Sequence, residues 1–221
     1  MKLENYTPQK PFGQKHLLCL QDYTKDEILQ VLSLALELKA KQNAHIPHKL
    51  LEGKTLAMIF TKASTRTRVS FETGMQQLGG HALFLSSNDI QLGRGEPIAD
   101  TARVMSRMVD GIMIRTFKQS DVEDLAKYGS IPVINGLTDL LHPCQVLADL
   151  LTIYEYKGTL KGLKLAYLGD GNNMAHSLLI GCSKVGMNVA VGCPEGYMPE
   201  AEIVKQAQAN ALSEGSDVLV T

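Results

Sequence analysis

From residue 24 to its end the chain alternates stretches of helical spacing with short strand-like runs, and this rhythm constrains the fold more than any other feature. Thr24 with Glu27 makes a capping-box pattern ahead of Ile28, Val31, Leu32, Ala35 and Leu38, which share one helical face. Thr55-Leu-Ala-Met-Ile-Phe60 then reads as a buried strand. The pattern continues with a helix over about 65–78, stopped by Gly79-Gly80, a strand at 82–85, a helix at 98–108 and a strand at 111–114. A helix capped by Ser120 with Glu123 and a strand at 131–134 follow. Strands that alternate with helices in this way pair in parallel, because each crossover brings the chain back to the same end of the sheet.

Residues 142–156 read as one long amphipathic helix, after which a fresh unit starts: strand 164–168, helix 174–185, strand 188–191. The expectation is therefore an α/β protein of two doubly wound parallel-sheet domains, residues 1–150 and 151–221, joined by the long helix. Helix 200–209 runs into Ala211-Leu-Ser-Glu-Gly215 without an intervening strand, which points to an internal gap in the second domain.

Composition narrows the function. With 44% hydrophobic and 20% charged residues the chain can bury a core, which excludes disorder. Lys and Arg number 22 against 23 for Asp and Glu, so there is no overall field to hold nucleic acid or an anionic membrane, and any anion site must be local. The four cysteines have neither the spacing nor the histidine neighbours of a zinc site. No metal and no organic cofactor are expected. The first fifteen residues lack an apolar signal core and no run reaches the ~18 apolar residues of a membrane span, so the reading is a cytoplasmic protein.

In a parallel sheet, ligands bind beyond the carboxyl ends of the strands. The first such loop, Thr61-Lys-Ala-Ser-Thr-Arg-Thr-Arg68, passes from strand to helix and places hydroxyls, amides and guanidinium groups at a helix N-terminus. Phosphate suits that environment, since the helix dipole favours negative charge and an Arg fork binds two oxygens. The plainer alternative is N-capping by Ser64 or Thr65, with Arg68 and Glu72 as a surface pair. Arg115 stands directly after a buried run, as either a functional arm or a solvated strand end. His142 and Gln145 lie one turn apart at a helix start marked by Pro143, so both can face one point. Gly169-Asp-Gly-Asn-Asn173 lacks the third glycine of a dinucleotide site, and Asn173 could be simply a helix cap.

Ser64-Thr-Arg-Thr-Arg68 followed by Val-Ser-Phe-Glu72 resembles the carbamoyl-phosphate loop of the aspartate and ornithine carbamoyltransferases. Asp100-Thr-Ala-Arg103, Asn135-Gly-Leu-Thr-Asp139, His142-Pro-Cys-Gln145 and Gly169-Asp-Gly-Asn-Asn173 follow in the order of the ornithine branch, so the resemblance covers nearly the whole chain. It implies that residues 1–150 bind carbamoyl phosphate and 151–221 the amino acid. Ser64, Thr65, Arg66 and Thr67 would hold the phosphate, Arg115 would bind phosphate and carbonyl oxygens, His142 would donate to the carbamoyl oxygen and Gln145 would bind its amide. Arg68 would turn away into structure. Asn173 would bind the ornithine backbone groups, and Gln91 would be lent to a neighbouring subunit's site in a homo-oligomer, which the resemblance implies is a trimer or a multiple of trimers.

The reaction implied is transfer of a carbamoyl group to the side-chain amine of L-ornithine, giving citrulline and phosphate, with Arg66, Arg115 and His142 as the catalytic groups. The alternatives are a putrescine carbamoyltransferase and a non-catalytic anion-binding paralogue. Similar enzymes carry a Ser-Met-Gly loop and a His-Cys-Leu-Pro motif later in the chain; neither occurs in these residues, so the resemblance implies an amine-binding half that is incomplete within them.

Overall fold

The structure is a computed structural model that describes residues 2–221. The chain packs as two compact units. One comprises residues 15–18 and 38–139; the other comprises the residues up to Gln14, 19–37 and 140–221.

The first unit is built on a four-stranded sheet in the order β2-β1-β3-β4, from β1 (Thr55–Phe60), β2 (His81–Ser86), β3 (Gly111–Arg115) and β4 (Val133–Leu137). Every pairing is parallel. The near-continuous apolar runs of β1 and β3 fit their central positions, because both faces are covered. Strand alternation sends Ala57, Ile59, Ile112 and Ile114 to one face, where they meet Ala102 of α3 (Ile98–Met105) and Val122 and Leu125 of α4 (Gln119–Tyr128). Leu56, Met58, Phe60 and Met113 point the other way, against Phe71 and Met75 of α2 (Thr65–Gln77). Helices on both faces make this unit doubly wound, as the alternation of the sequence implies.

The second unit carries a parallel sheet β5-β6-β7, of Lys164–Leu168, Asn188–Gly192 and Val218–Val220. Its helices are α5 (Pro143–Lys157), α6 (Asn173–Lys184), α7 (Ala201–Glu214) and the first part of α1 (Lys25–Asn43). The capping box is formed: the Thr24 amide and hydroxyl both donate to Glu27 Oε2 at 2.9 Å, and the Glu27 amide donates back to Thr24 Oγ1 at 3.2 Å.

Three expectations need correction. The strand read at 131–134 lies at Val133–Leu137, because Asn135 and Gly136, which read as loop, are buried within it; Asn135 Nδ2 finds Leu18 O at 3.0 Å. Ser120 does not cap α4; Lys118 occupies that position without a side-chain bond, and the helix entry is held by Thr116 Oγ1 donating to Asp121 Oδ2 at 2.8 Å. Helix α7 does not end at 209 but continues through Ala211 to Glu214, with Ala207 and Ala211 on its buried face, and passes to β7 with no strand between. Helix α5 lies wholly in the second unit, and it is α1 whose residues are shared, with 25–37 in one unit and 38–43 in the other.

Candidate functional site: two strand–loop–helix junctions

At the end of β1 the chain turns through Thr61–Lys62, whose amides both donate to Arg115 O, at 3.0 and 3.4 Å, and enters α2. Ser64 is the N-cap: its Oγ accepts from the Thr67 amide at 3.2 Å and donates to Thr67 Oγ1 at 3.0 Å. The first helical turn has no acidic residue, and Thr65 and Arg66 are exposed there.

Arg115 is paired in register with Phe60, so it emerges beside the same loop. Alternation along β3 places it on the Met113 face, which is the face of α2. Its Nη1 donates to Thr67 Oγ1 at 3.4 Å, while its Nε is buried with no hydrogen-bond partner. Burial, and next the charge of Arg66, push the Arg115 guanidinium below its ordinary pKa. Two guanidinium groups that raise each other's energy beside a helix N-terminus have the chemistry that suits an anion with several oxygens.

Arg68 leaves this cluster. Its Nε donates to Glu72 Oε1 at 3.0 Å and its guanidinium lies 3.7 Å from the Phe84 ring centroid. Lys62 is also engaged, with Asp139 at 3.1 Å. Gln91 is exposed on a short 3-10 turn, Gln91–Arg94, that closes at Gly95 in the left-handed region. Its backbone carbonyl accepts from Gly95 and Glu96. Of the ordered motifs, Asn135 and Thr138 are buried and both donate to Gln119 Oε1, at 3.3 and 2.9 Å, so that segment supports the sheet end rather than lining a surface.

In the second unit His142 sits at the N-cap position of α5 with Pro143 at the first helical position, and the His142 amide donates to Ser177 Oγ at 2.7 Å. Gln145 is exposed and directs its Nε2 along the helix to Asp149 Oδ1 at 2.9 Å. Cys144, within the same motif, has its thiol pushed up to about 12 by burial, which keeps it protonated and non-nucleophilic near neutrality.

The glycine-asparagine loop joins β5 to α6. Asn172, not Asn173, is the cap: its Oδ1 accepts from the Met174 amide at 2.9 Å and the Ala175 amide at 3.3 Å. Asn173 is the first helical residue and half-buried. Gly171 donates to Tyr197 O at 2.7 Å, and a Cβ there would lie 2.1 Å from Pro199 N.

His176, which reads from the sequence as a packed or partly exposed helix residue, and Ser177, which gives no signal there, are both buried at the start of α6. His176 Nδ1 lies 3.0 Å from Leu140 O, and the Glu200 amide donates to its Nε2 at 3.0 Å. Partners 36 and 24 residues away leave no local signature; a polar His-Ser pair inside an otherwise apolar helix was the available hint.

Among the described residues no helix is long and apolar enough to cross a membrane, and no group of three or more His, Cys, Asp or Glu is placed to hold a metal ion.

Residues 15–155 match the family profile "Aspartate/ornithine carbamoyltransferase, carbamoyl-P binding domain", and 161–221 match "Aspartate/ornithine carbamoyltransferase, Asp/Orn binding domain". The chain is 63% identical over 217 residues to the ornithine carbamoyltransferase of Anoxybacillus flavithermus, covering 98% of this chain and 69% of that protein. To the anabolic ornithine carbamoyltransferase of Pyrococcus furiosus it is 60% identical over 201 residues, 91% of this chain and 64% of the relative. A solved structure of the Pyrococcus furiosus enzyme superposes with a TM-score of 0.92 at 57% identity, over 96% of this chain and 68% of the other. The chain thus spans about two thirds of the length of these relatives. Loop geometry, motif order and these likenesses agree: the chain belongs to the aspartate/ornithine carbamoyltransferase family.

Proposed function

We propose that the protein to which these residues belong transfers the carbamoyl group of carbamoyl phosphate to the side-chain amine of L-ornithine, yielding L-citrulline and phosphate. The observation that carries this reading is the Arg115 guanidinium, with its buried Nε unpartnered, beside Arg66 at the N-terminus of α2. The names of the relatives, ornithine carbamoyltransferases throughout, support ornithine as the acceptor.

Carbamoyl phosphate already carries a good leaving group on a carbonyl carbon, so the protein's work is positioning and charge stabilisation. Ser64, Thr65, Arg66 and Thr67 hold the phosphate, and Gln145 the carbamoyl amide. The neutral amine, oriented with help from Asn173, attacks the carbonyl carbon. Negative charge then develops on the carbonyl oxygen and is stabilised by Arg115, Thr67 and His142; losing one such donor costs ~10²–10³ in rate. Collapse of the tetrahedral intermediate breaks the C–O bond, and phosphate leaves carrying the proton that the attacking nitrogen gives up, its remaining charge held by Arg66 and the loop amides. No metal or organic cofactor enters the reading.

Gln91 acts in the neighbouring subunit's site of a trimer-based homo-oligomer in a reducing cytoplasm. Its exposure on a pinned turn supports this, since it is presented outward on a fixed backbone. Mixing inactive full-length Arg66→Ala and Gln91→Ala chains should regain activity through hybrid sites. For the substrate itself the test is calorimetry with carbamoyl phosphate. Arg66→Ala should bind roughly ten- to a hundredfold more weakly, the worth of a charged hydrogen bond. A folded variant that binds as tightly as the parent overturns the phosphate-loop assignment. Turnover with putrescine exceeding that with ornithine overturns the choice of acceptor.

A further inference from the structure

Ser177 is buried, with 3% of its surface exposed, and its single hydroxyl makes two bonds. It accepts the His142 amide proton at 2.7 Å and donates its own to Asn173 O at 2.7 Å. A serine that bonds back to the carbonyl four residues earlier is ordinary in a helix. A serine that at the same time holds the first residue of another functional turn is not required by helix geometry. One position away, His176 fastens the same turn at Leu140. The Glu200 amide donates to Nε2, so Nδ1 carries the hydrogen and donates to Leu140 O at 3.0 Å. Leu140 and His142 are thus both held by the first turns of α6, the helix that begins with Asn173.

We infer that Ser177 and His176 are positioning residues that fix His142 relative to Asn173. In terms of the reaction proposed above, on which this inference rests, they set the separation of the group that polarises the carbamoyl carbonyl from the group that orients the incoming amine. Neither side chain need touch a substrate. Their contribution falls on the chemical step, because a displacement of about 1 Å between reacting groups can lower the rate on the order of 10²-fold while leaving each substrate's own contacts in place.

The test is steady-state citrulline formation by the full-length protein, with separate kcat and KM for both substrates and a melting temperature for each variant. Ser177→Ala is expected to lower kcat by roughly ten- to a hundredfold, with the KM for carbamoyl phosphate within about threefold of the parent. Ser177→Thr, which keeps the hydroxyl, should recover most of the loss. The histidine is dissected by two replacements that each preserve one nitrogen's bond. His176→Asn can still donate to Leu140 O, whereas His176→Gln can accept from the Glu200 amide but releases Leu140. The asparagine variant should therefore keep the higher kcat. Ser177→Ala with full kcat and only a lower melting temperature overturns the inference in favour of a purely structural role, as does a glutamine variant that equals or exceeds the asparagine one. Should Ser177→Ala fail to fold, the Asn and Gln pair still decides. A parent protein that makes no citrulline overturns the underlying reaction and the inference with it; an active parent with unaffected variants overturns the inference alone.

Discussion

The junctions β1–α2 and β5–α6 are the same structural idea, a parallel strand opening through a short loop into a helix N-terminus, yet they present opposite chemistry. At α6 the loop consumes its own polar groups: Asn172 accepts two helix amides, and Gly171 is pressed against the backbone at Pro199. At α2 the cap takes only the Thr67 amide, and a guanidinium nitrogen remains buried without a partner. A helix N-terminus is an anion site only where the cap leaves amides and cations unspent. What distinguishes the junctions is thus the accounting of hydrogen bonds, not the fold.

The contrast can be broken most directly at Arg115. Arg115→Ala should lower kcat for citrulline formation by ~10²–10³; retention of more than a tenth of the parent's turnover would mean that the α2 junction is as self-sufficient as the α6 one. At α6 the largest effect should be on stability. Gly171→Ala drives a Cβ to within 2.1 Å of Pro199 N, so backbone must move, and chemical denaturation should show a loss of about 1–3 kcal/mol.

The two caps sharpen the comparison further. Asn172→Ala and Ser64→Ala should each lower stability by ~1 kcal/mol. Only Ser64→Ala should also weaken carbamoyl phosphate binding, and equal effects on binding would erase the distinction. The smallest effect belongs to a third place, Asp110, whose carboxylate accepts from Lys54 Nζ and the Thr55 amide, both at 2.8 Å. These bonds hold its pKa below the ordinary value, so its contribution is present at neutral pH and fades as pH falls through the carboxylate range. Asp110→Asn should accordingly melt slightly below the parent at pH 7 and together with it once the pH is well below 4.

How much of this the sequence disclosed depended on the range of the interactions. β1 and β5 are where apolar runs place them, and the Thr24–Glu27 box formed, because such features are decided by neighbours within a turn or a strand. The loop 61–68 was legible for the same reason: its hydroxyls and arginines are consecutive. What escaped was set by distant partners. Asn135-Gly136 reads as a turn until Leu18 and Gln119 are known to satisfy it inside a strand. Asn172 and Asn173 are equally good caps on paper, and only the backbone decides between them. His176 looks like an unremarkable core histidine until Leu140 and Glu200 arrive at its two nitrogens.

The unpartnered Nε of Arg115 also bears on how the protein tolerates change. A buried donor without an acceptor, next to a second positive charge, is a standing penalty on the empty fold. Replacing the arginine by an apolar residue of similar length, such as methionine, removes that penalty, so the crippled variant should outlast its parent on heating. Inorganic phosphate should narrow that difference by stabilising the parent more than the variant, which keeps Arg66 and the loop but lacks the second guanidinium. On this reading the arginine costs the fold stability and is useful only to the proposed ligand.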